Sequence, residues 1–389
     1  MKHRTARPVA AAILVAAGLA APAFAVQDCE LNGEPVNPAN GHTTAGKTGL
    51  MRCKERDTGE LRREQELQNG RFMGLVRFYD KGRLVKEHSV NEKGNMEGRA
   101  REFLASGQLL REATYANGRP VGLMRSFHPN GQLRRVSFHE EPGGERAVAE
   151  FNERGQLAEL RCADRAVLAP ALDDARLCGH TGAAPASVEL FDARGRLRER
   201  LSLRAGQRVG AEGFHDNGQL AARMTLQGDQ RTEQQFSADG VKRRERVSRV
   251  VERGSVRQRD AEYSERGTLL REQRWTPEGE ALADDSYFLN GQPRRQARYA
   301  GAGDARTLEV QQFFDNGQRA SVAHYALDAR GAQRAIGTHQ SFDEQGRRIG
   351  ETVYDAQGRP SRERAWDAEG RLLRDDEVFE DGSRKAYRR

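Results

Sequence analysis

The chain is poor in the residues that build a thick hydrophobic core. Aromatic residues make up 6% of its 389 residues and the whole apolar set makes up 37%, whereas charged residues make up 31%. These proportions are too low for one thick core, yet too high for a chain that is unfolded throughout. Glycine, at 41 residues, falls far short of the one residue in three that a collagen needs. We therefore expect a thin, elongated structure in which each part buries a small apolar area.

Long apolar runs are missing except near the N-terminus. Residues Met1–Ala25 combine a basic start, the apolar run Val9–Leu19 and an A-x-A cleavage site at 23–25, which is the pattern of a secretory signal peptide. The apolar run is too short for a membrane-spanning helix. The sequence therefore predicts an exported protein, periplasmic or extracellular, with a retained N-terminal anchor as the alternative.

A strong charge of one sign is also missing once the signal peptide is removed. The formal net charge of +7 falls to +4, because that segment holds three basic residues and no acid. Attraction to nucleic acid depends on a basic surplus, so we predict no nucleic acid partner. Residues Gly41–Thr48 match the P-loop pattern G-x-x-x-x-G-K-T. The polar residues before them and Gly49 after them predict neither the strand nor the helix that a phosphate site needs, so we predict no nucleotide and no other cofactor.

Several motifs of known catalytic chemistry do not occur in the sequence, among them H-E-x-x-H, G-x-S-x-G and the EF-hand loop. Acidic pairs such as Asp284-Asp285 could serve a glycosidase, but they are typical of solvated strand ends. We predict a protein without enzymatic activity and without a bound metal. A hydrolase of the cell envelope is the alternative.

Cysteine is rare, and all four copies lie beyond the predicted signal peptide, at Cys29, Cys53, Cys162 and Cys178. An even number in an oxidising compartment predicts disulfides. Three connectivities are possible, and pairing of neighbours, Cys29 with Cys53 and Cys162 with Cys178, closes the shortest loops. Metal binding is the rival interpretation, but neither pair has C-x-x-C spacing or a histidine cluster beside it.

Glycine recurs about every 12 residues through most of the chain. Every second one follows an aromatic residue by four positions and often precedes a leucine by two, as in the run from Phe127 to Leu133 around Gly131. This pattern predicts a three-residue hairpin loop, in which a type I turn precedes a left-handed glycine and the aromatic residue faces the leucine. We predict such turns at Gly82, Gly107, Gly131, Gly155, Gly195, Gly218, Gly267, Gly291, Gly317, Gly346 and Gly370.

Short strands between these turns predict an all-β protein, an elongated antiparallel β-meander of repeated hairpins. A stretch with two of the cysteines interrupts the glycine lattice and divides it into two arrays separated by a disulfide-bearing insertion. The predicted organisation is a signal peptide at 1–25, a disulfide-stapled N-terminal cap at 26–54, a first β-hairpin repeat array at 55–158, an insertion with the second cysteine pair at 159–186, and a second β-hairpin repeat array at 187–389.

The runs Gly74–Leu84 and Gly122–Leu133 read GLVRFYDKGRL and GLMRSFHPNGQL. They resemble the MORN-variant repeat that is collected in bacterial proteins of the YwqK antitoxin family. The resemblance covers most of 60–389 and is strongest at 70–140. It implies MORN-like β-hairpin repeats with a binding or structural role, and the family label implies an antitoxin or immunity-type partner of a toxin as a further alternative. The run Tyr354–Arg359 also resembles the YD repeat of Rhs-type proteins.

Arginine or lysine often stands four positions after a turn glycine, and an acid often follows it. By the alternation of a strand, the basic residue shares a face with the aromatic residue and the leucine. Like charges directly opposite one another are unfavourable, so acids on a third strand or an anionic ligand must compensate wherever two arginines meet. The predicted register creates three such pairs, which are Arg101 with Arg111, Arg125 with Arg135, and Arg364 with Arg374.

We therefore predict a binding face. Its members are Arg101, Arg111, Arg125, Arg135, Phe127 and Leu133. The competing interpretation is structural, with arginine stems covering a thin apolar sheet and their charged heads in water. The predicted function is a non-enzymatic binding or scaffold module of the cell envelope with a protein partner of unknown identity. An anionic lipid or envelope polymer is the alternative partner.

Overall fold

The structure, a computed structural model, describes residues 27–142 and 144–388. The predicted signal peptide lies outside the described residues. Strands account for 60% and helices for 3% of the chain, and the strands form two large antiparallel sheets of hairpins. The predicted all-β class with repeated hairpins is confirmed. Among the described residues, no helix has the length and apolar character needed to cross a membrane.

The first sheet contains twelve strands, which follow in chain order except that β1 lies between β3 and β2. They are β1 (Gln27–Leu31), β2 (Glu34–Val36), β3 (Gly49–Glu55), β4 (Leu61–Gln68), β5 (Arg71–Asp80), β6 (Arg83–Val90), β7 (Met96–Phe103), β8 (Leu109–Ala116), β9 (Arg119–Phe127), β10 (Leu133–Glu140), β11 (Gly144–Phe151) and β12 (Leu157–Arg161). A short helix α1 (Gly41–Thr44) connects β2 to β3, and a second one, α2 (Asp174–Leu177), lies in the segment between the sheets.

The second sheet contains eighteen strands in chain order, and β24 pairs with both β25 and β26. They are β13 (Ala186–Phe191), β14 (Leu197–Arg204), β15 (Gln207–Phe214), β16 (Leu220–Gln227), β17 (Gln230–Phe236), β18 (Lys242–Val251), β19 (Gly254–Tyr263), β20 (Leu269–Trp275), β21 (Ala281–Tyr287), β22 (Pro293–Ala300), β23 (Thr307–Phe313), β24 (Arg319–Leu327), β25 (Gln333–Ala335), β26 (Gly337–Phe342), β27 (Arg348–Tyr354), β28 (Pro360–Trp366), β29 (Leu372–Val378) and β30 (Arg384–Arg388). A turn of 3-10 helix at Gly303–Ala305 precedes β23.

The described residues divide into two compact units, one within 27–131, 139–142 and 144 and the other within 132–138 and 145–388. The first unit contains β1–β9, and the second contains the whole second sheet.

Apolar burial occurs in small separate clusters, as the composition predicts. One cluster in the first unit joins six buried residues, with Phe72 packed against them. Its members are Cys29, Leu31, Val36, Met51, Cys53 and Leu67. A cluster in the second unit joins four buried residues with two tyrosines. Its members are Ala297, Leu308, Val310 and Leu327, with Tyr299 and Tyr325. Each fully buried leucine or methionine contributes about 2 kcal/mol, so each cluster holds together only a few neighbouring strands.

Both predicted disulfides are present, and no described cysteine is free. Cys29 of β1 lies directly opposite Cys53 of β3, and the bond between them closes the cap. Cys162 follows β12 and bonds to Cys178 at the end of α2. The predicted local pairing is confirmed. Two disulfides indicate an oxidising, non-cytoplasmic environment.

The glycine lattice marks the turns. All eleven predicted turn glycines have positive φ angles, between +72° and +88°. In the β13–β14 turn the N–H of Asp192 donates to the carbonyl of Arg196 and the N–H of Gly195 donates to the carbonyl of Asp192, as a type I turn with a left-handed glycine requires. One member differs, because Asp80 pairs with Arg83 and leaves a two-residue loop. The turn at Gly82 is therefore not the predicted three-residue loop.

In four of the hairpin turns, an aspartate side chain accepts both turn N–H groups and an arginine guanidinium. The N–H groups of Arg194 and Arg196 donate to Asp192 Oδ1 at 2.9 Å, and the guanidinium of Arg196 reaches Asp192 Oδ2 at 2.8 Å. Side-chain hydrogen bonds of this kind satisfy turn backbone that has no strand partner. The same arrangement recurs at Asp343, Asp355 and Asp367.

A pair of glycines in one hairpin tests the turn assignment. Gly218 in the β15–β16 turn has φ +81° and open space around it, whereas Gly213 in β15 is extended and an added Cβ would meet only Ala222 at 3.9 Å. Gly218→Ala should lower the free energy of unfolding by about 1–2 kcal/mol, because a Cβ is disfavoured in the left-handed conformation. Gly213→Ala should leave it unchanged or raise it by about 0.5 kcal/mol. Urea unfolding of the two variants measures both effects, and equal stabilities would show that the turn register is wrong.

Candidate binding surface and its charge ladders

In most of the predicted hairpins, the pairing of strands beyond the turn differs from the prediction by one residue. Phe103 faces Leu109 as predicted, but the register then shifts, so that Arg101 lies opposite Glu112 and Arg111 lies opposite Glu102. The physical reason is a β-bulge, in which two residues of β8 oppose one residue of β7. The predicted pair of Arg101 with Arg111 is therefore not formed.

The same shift occurs in the β28–β29 hairpin. Trp366 faces Leu372 as predicted, but Arg364 lies opposite Asp375 and Arg374 lies opposite Ala365. The predicted pair of Arg364 with Arg374 is not formed either. The extra residue thus converts a like-charge pair into an attractive one.

The bulge also separates the arginines of the predicted binding face. Residues directly opposite one another point to the same side of a sheet. Arg101 and Arg125 both lie opposite Glu112 and share its side, whereas Arg111 lies opposite Glu102 and points to the other side. Four arginines on one face were the core of the predicted surface, and the structure corrects this arrangement.

The remaining predicted residues have these positions. Phe127 ends β9 two residues after Arg125, so the two share a side, and Leu133 begins β10. Both are half-buried. Arg135 of β10 contacts the carboxylates of Glu145 and Glu150 within the second unit, the former at 2.6 Å.

Alternating charges cross the first unit in a row, which we call the first charge ladder. It takes one residue from each of eight neighbouring strands, and each member lies directly opposite the next. Its members, in order, are Glu30, Arg52, Glu64, Arg77, Glu87, Arg101, Glu112 and Arg125. Opposite charges in directly opposed positions attract, so the row stabilises the pairing of every strand it crosses.

The ion pairs of this ladder are close. Arg52 lies 3.1 Å from Glu64, and Arg77 bridges Glu64 and Glu87 at 3.5 and 3.4 Å. Arg101 also contacts Glu87. In a further pair, Arg125 contacts Glu112, which additionally receives hydrogen bonds from Arg99. Acids on neighbouring strands therefore supply the compensation that the arginines require.

The ladder carboxylates are buried beneath the arginines. Glu64, Glu87 and Glu112 are each 8% exposed. Burial opposes the ionisation of Glu112, but hydrogen bonds from Arg99 and Arg125 outweigh it and hold the pKa of this carboxyl below its ordinary value. The pattern is typical of a structural network in which each buried charge keeps its partner.

Tyr79 adds a neutral donor to the same row. Its hydroxyl donates to Glu64 at 2.7 Å. Burial and this hydrogen bond raise the pKa of Tyr79 to about 12. The phenol therefore stays protonated and keeps donating at any physiological pH.

A second charge ladder crosses the first six strands of the second sheet. Its members are Glu189, Arg200, Glu212, Arg223, Gln234 and Glu245, one from each strand of β13–β18. Arg200 lies 3.0 Å from Glu189 and 3.1 Å from Glu212, and Arg223 lies 3.0 Å from Glu212. A bulge after the β13–β14 turn again sets this register, because it places Arg200 opposite Glu189 and Glu199 opposite Leu190.

Arginines also cover the aromatic residues at the hairpin ends. The guanidinium of Arg101 lies 5.7 Å from the ring centre of Phe103, and that of Arg348 lies 4.1 Å from the ring centre of Trp366. Such cation–π contacts contribute about 0.5–1 kcal/mol at partly exposed sites. Arginine and aromatic side chains associate as predicted, but both partners of each contact belong to the same sheet.

Sequence reasoning missed the ladder carboxylates as functional partners of the arginines. The signal was present, because an acid follows the basic residue after many turn glycines. Strict alternation assigned that acid to the opposite face, and only the bulge returns it to the side of the aromatic residue and the leucine.

Turns along one edge of the second sheet are linked side by side. Asn217 Nδ2 donates to the carbonyl of Ala238 at 2.7 Å, and Asn290 Nδ2 donates to the carbonyl of Asp315 at 2.7 Å. Each bond joins a turn to the next turn on the same edge. The hairpins are therefore fixed both by strand pairing and by their turns.

Charged side chains in and beside the cap pair with one another. The residues that match a P-loop pattern contain the four-residue helix α1, and Lys47 pairs with Glu34 at 3.0 Å. A cavity of about 850 Å³ lies beside β1 and β3, where the charged wall residues Asp28 and Arg56 bind each other at 2.7 Å. Across the described ranges, no group of three or more His, Cys, Asp and Glu side chains is placed to hold a metal.

Comparison with known proteins matches two segments of the chain to the MORN repeat variant, residues 96–117 and 120–140. No curated protein matched the sequence. Among solved structures, TarM is 14% identical with a TM-score of 0.18, covering 23% of this chain and 18% of TarM. TcdB2–TccC3 is 12% identical with a TM-score of 0.15, covering 85% of this chain and 22% of that one. A eukaryotic initiation factor is 10% identical with a TM-score of 0.17, covering 81% and 98%.

The chain thus spans about a fifth of the length of TarM and TcdB2–TccC3. The TM-scores are too low to support a structural argument. The repeat match instead agrees with the geometry, because each matched segment falls on the strands β7–β10 and the turns between them. Residues 96–117 and 120–140 of this chain therefore match the MORN repeat variant in sequence and lie on two successive β-hairpins.

Proposed function

We propose that this chain is an exported, non-enzymatic repeat protein that acts as a binding or scaffold module of the cell envelope. The observation that carries the proposal is that the polar groups of the repeats find their partners within the repeats themselves. Ladder arginines find their carboxylates within the sheet, and the turns bind one another. A surface held in this way is preorganised, so little conformational entropy is lost when a partner binds.

Two further observations support the proposal. MORN-variant repeats suggest a binding or scaffold role. The two disulfides are compatible with export, because such bonds persist in oxidising compartments. A protein partner is favoured over an anionic lipid or polymer, because carboxylates already neutralise Arg101, Arg125 and Arg135.

The export half of the proposal is tested by intact-mass analysis of the protein recovered from the envelope. The chain should begin at Val26 and should weigh four hydrogens less than its fully reduced form. An unprocessed N-terminus together with four free thiols would contradict export.

The binding half is tested by incubating the tagged full chain with an envelope extract, cross-linking it there and identifying the captured proteins by mass spectrometry. The control is the same chain reduced and alkylated before incubation with an envelope extract. We expect the folded chain to enrich one set of proteins reproducibly over this control. Co-sedimentation with phosphatidylglycerol vesicles but not with neutral vesicles, without protein enrichment, would favour the anionic alternative.

A further inference from the structure

One arginine of the first unit differs from the arginines of the first charge ladder, because it has no acidic partner. Arg63 of β4 follows directly before Glu64, so the alternation of the strand places it on the other side of the sheet from the ladder. There it lies opposite Cys53 of β3 and Phe78 of β5, neither of which is acidic. Among the residues that the structure describes, no carboxylate forms an ion pair with its guanidinium.

The acids that are nearest along the chain have other partners. Glu64 belongs to the first charge ladder, and Glu66 accepts a hydrogen bond from the backbone of β5 at 3.0 Å. Arg62 pairs with both Glu55 and Asp80, the latter at 3.1 Å. These contacts leave the neighbouring arginine without a counterion.

A buried amide holds the guanidinium of Arg63 in place. Gln65 is 2% exposed, and its Oε1 accepts a hydrogen bond from Arg63 Nη2 at 2.8 Å. The Nε2 of Gln65 donates in turn to the carbonyl of Glu66 at 3.2 Å, which fixes the orientation of the amide. The Nε of Arg63 is buried and has no hydrogen-bond partner. The arginine is therefore positioned before a ligand arrives, so little conformational entropy is lost on binding.

Phe78 and His88 lie beside this arginine on the next two strands. The guanidinium carbon of Arg63 lies 5.6 Å from the ring centre of Phe78, and the ring of Phe78 stacks on that of His88 with the centres 5.9 Å apart. The Nδ1 of His88 is buried and has no hydrogen-bond partner. Burial and, after it, the charges of Lys86 and Arg63 lower the pKa of His88, against a smaller opposing effect of Glu102. All three side chains are half-buried, so the site remains in contact with solvent.

The charge of Arg63 indicates which ligand fits. Burial lowers the pKa of this arginine, and no acid opposes the effect. A partly buried charge without a partner destabilises the folded state, and an anion that neutralises it removes this cost. A carboxylate supplies one negative charge and two acceptor oxygens in the geometry that a guanidinium matches. A phosphate would bring up to two negative charges to a site with one unpaired cation.

We propose that Arg63 binds the carboxylate of an acidic side chain of a partner protein, in contact with Phe78 and His88. The guanidinium donates to the carboxylate oxygens, and the ring of Phe78 packs against the methylene groups of the incoming side chain. This inference rests on the proposed binding function. It specifies the chemistry of the partner and the side of the first sheet on which the partner docks, which is the side away from the first charge ladder.

The first test measures the binding of a synthetic peptide, GGEGEGG with an uncharged fluorescent label, to the full chain by fluorescence anisotropy. The control peptide, GGQGQGG, has the same length and carries glutamine in place of glutamate. We expect saturable binding of the acidic peptide that weakens with added salt, and at least tenfold weaker binding of the control. Equal binding of the two peptides, or binding of neither, would overturn the inference. Displacement of the acidic peptide by inorganic phosphate at a lower concentration than by acetate would overturn it as well, because the site would then select a different anion.

The second test uses variants of the full chain. Arg63→Gln should weaken binding of the acidic peptide at least fivefold. The matched control is Arg71→Gln, which removes the same charge from an exposed position near the β4–β5 turn and should leave the affinity within twofold of the wild type. Circular dichroism confirms that both variants are folded. Equal weakening by the two variants would contradict the inference, because net charge alone would then attract the peptide.

The imidazole of His88 reports the bound carboxylate independently of affinity. NMR titration of the full chain, with the resonance assigned by His88→Gln, should give a pKa of His88 below its ordinary value of 6.5. Saturating acidic peptide should raise this pKa, because a nearby carboxylate favours the imidazolium. The peptide should leave the pKa of His88 unchanged in Arg63→Gln. A pKa of His88 that does not move in the wild type at saturation would show that the peptide binds elsewhere, and the inference would be wrong.

Capture from an envelope extract separates this inference from the broader proposal. If Arg63→Gln retains the full set of wild-type partners and the peptide does not bind, Arg63 is not the docking site and the scaffold function stands. If the wild type captures no partner, the proposed binding function is wrong, whereas the peptide measurements still decide whether Arg63 takes a carboxylate. Loss of a partner in Arg63→Gln but not in Arg71→Gln supports both.

Discussion

A chain that carries Cys29→Ala and Cys53→Ala together should unfold at a clearly lower urea concentration than the wild type. The bond joins residues 24 apart, and closing a loop of that length restricts the unfolded chain by about 3 kcal/mol. Both cysteines also belong to the buried cluster of Leu31, Met51 and Leu67, so part of the cap packing is lost with them. A unit of small separate clusters has little other apolar burial to compensate.

The second disulfide provides the matched comparison. Cys162→Ala with Cys178→Ala opens a loop of 16 residues and should cost a similar amount, about 3 kcal/mol, but in the second unit. Reductant should destabilise each double variant further through its one remaining bond. If the variant that lacks Cys29 and Cys53 unfolds at the same urea concentration as the wild type, and reductant lowers that concentration equally in both chains, the bond does not stabilise the cap.

The sequence predicted much of this architecture because turn chemistry is local. A turn of this kind can be recognised within a window of seven residues. The window contains a glycine that must adopt a positive φ, an aspartate that accepts turn N–H groups, and an aromatic residue that faces a leucine. The structure has Gly195, Asp192 and the pair of Trp366 with Leu372 at the positions that this pattern predicts. The neighbouring cysteines paired as loop closure favours.

The binding face could not be predicted in the same way, because it depended on register beyond the turn. The extra residue in the β7–β8 hairpin is an ordinary leucine, Leu110, which has no compositional mark. A shift of one residue exchanges the two faces of a strand, so Glu112 takes the position opposite Arg101 that the prediction gave to Arg111. The like-charge pairs that indicated a missing anion were thereby replaced by ion pairs inside the sheet.

Glu245→Gln should produce the other large effect, with a characteristic dependence on pH. The carboxylate of Glu245 is hydrogen-bonded to Gln234 at 2.7 Å and Lys242 at 3.0 Å, and it also contacts Arg259. Burial opposes its ionisation, but these partners outweigh burial and lower the pKa of Glu245 from 4.5 to about 2. At 1.36 kcal/mol per pKa unit, this difference corresponds to about 3 kcal/mol of stability at neutral pH.

The sign of the pH dependence follows from the lowered pKa. Because the folded state binds the proton less readily than the unfolded state, the stabilisation is fully present above pH 4.5 and is lost as the pH falls toward about 2. Glu245→Gln should therefore be less stable than the wild type at pH 7 and nearly equal to it at pH 2. The variant should also show a flatter stability profile across that interval.

Glu262→Gln is the matched control for this prediction. Glu262 belongs to the adjacent strand β19, but its side chain is 51% exposed and its nearest arginine nitrogen, of Arg244, lies 3.7 Å away. An exposed pair of this kind contributes at most about 0.5 kcal/mol, so this variant should follow the wild-type profile. Urea unfolding at a series of pH values measures all three chains. If the two variants are equally stable at every pH, the partly buried carboxylate does not organise its three partners, and the ladder is a row of solvated charges without structural consequence.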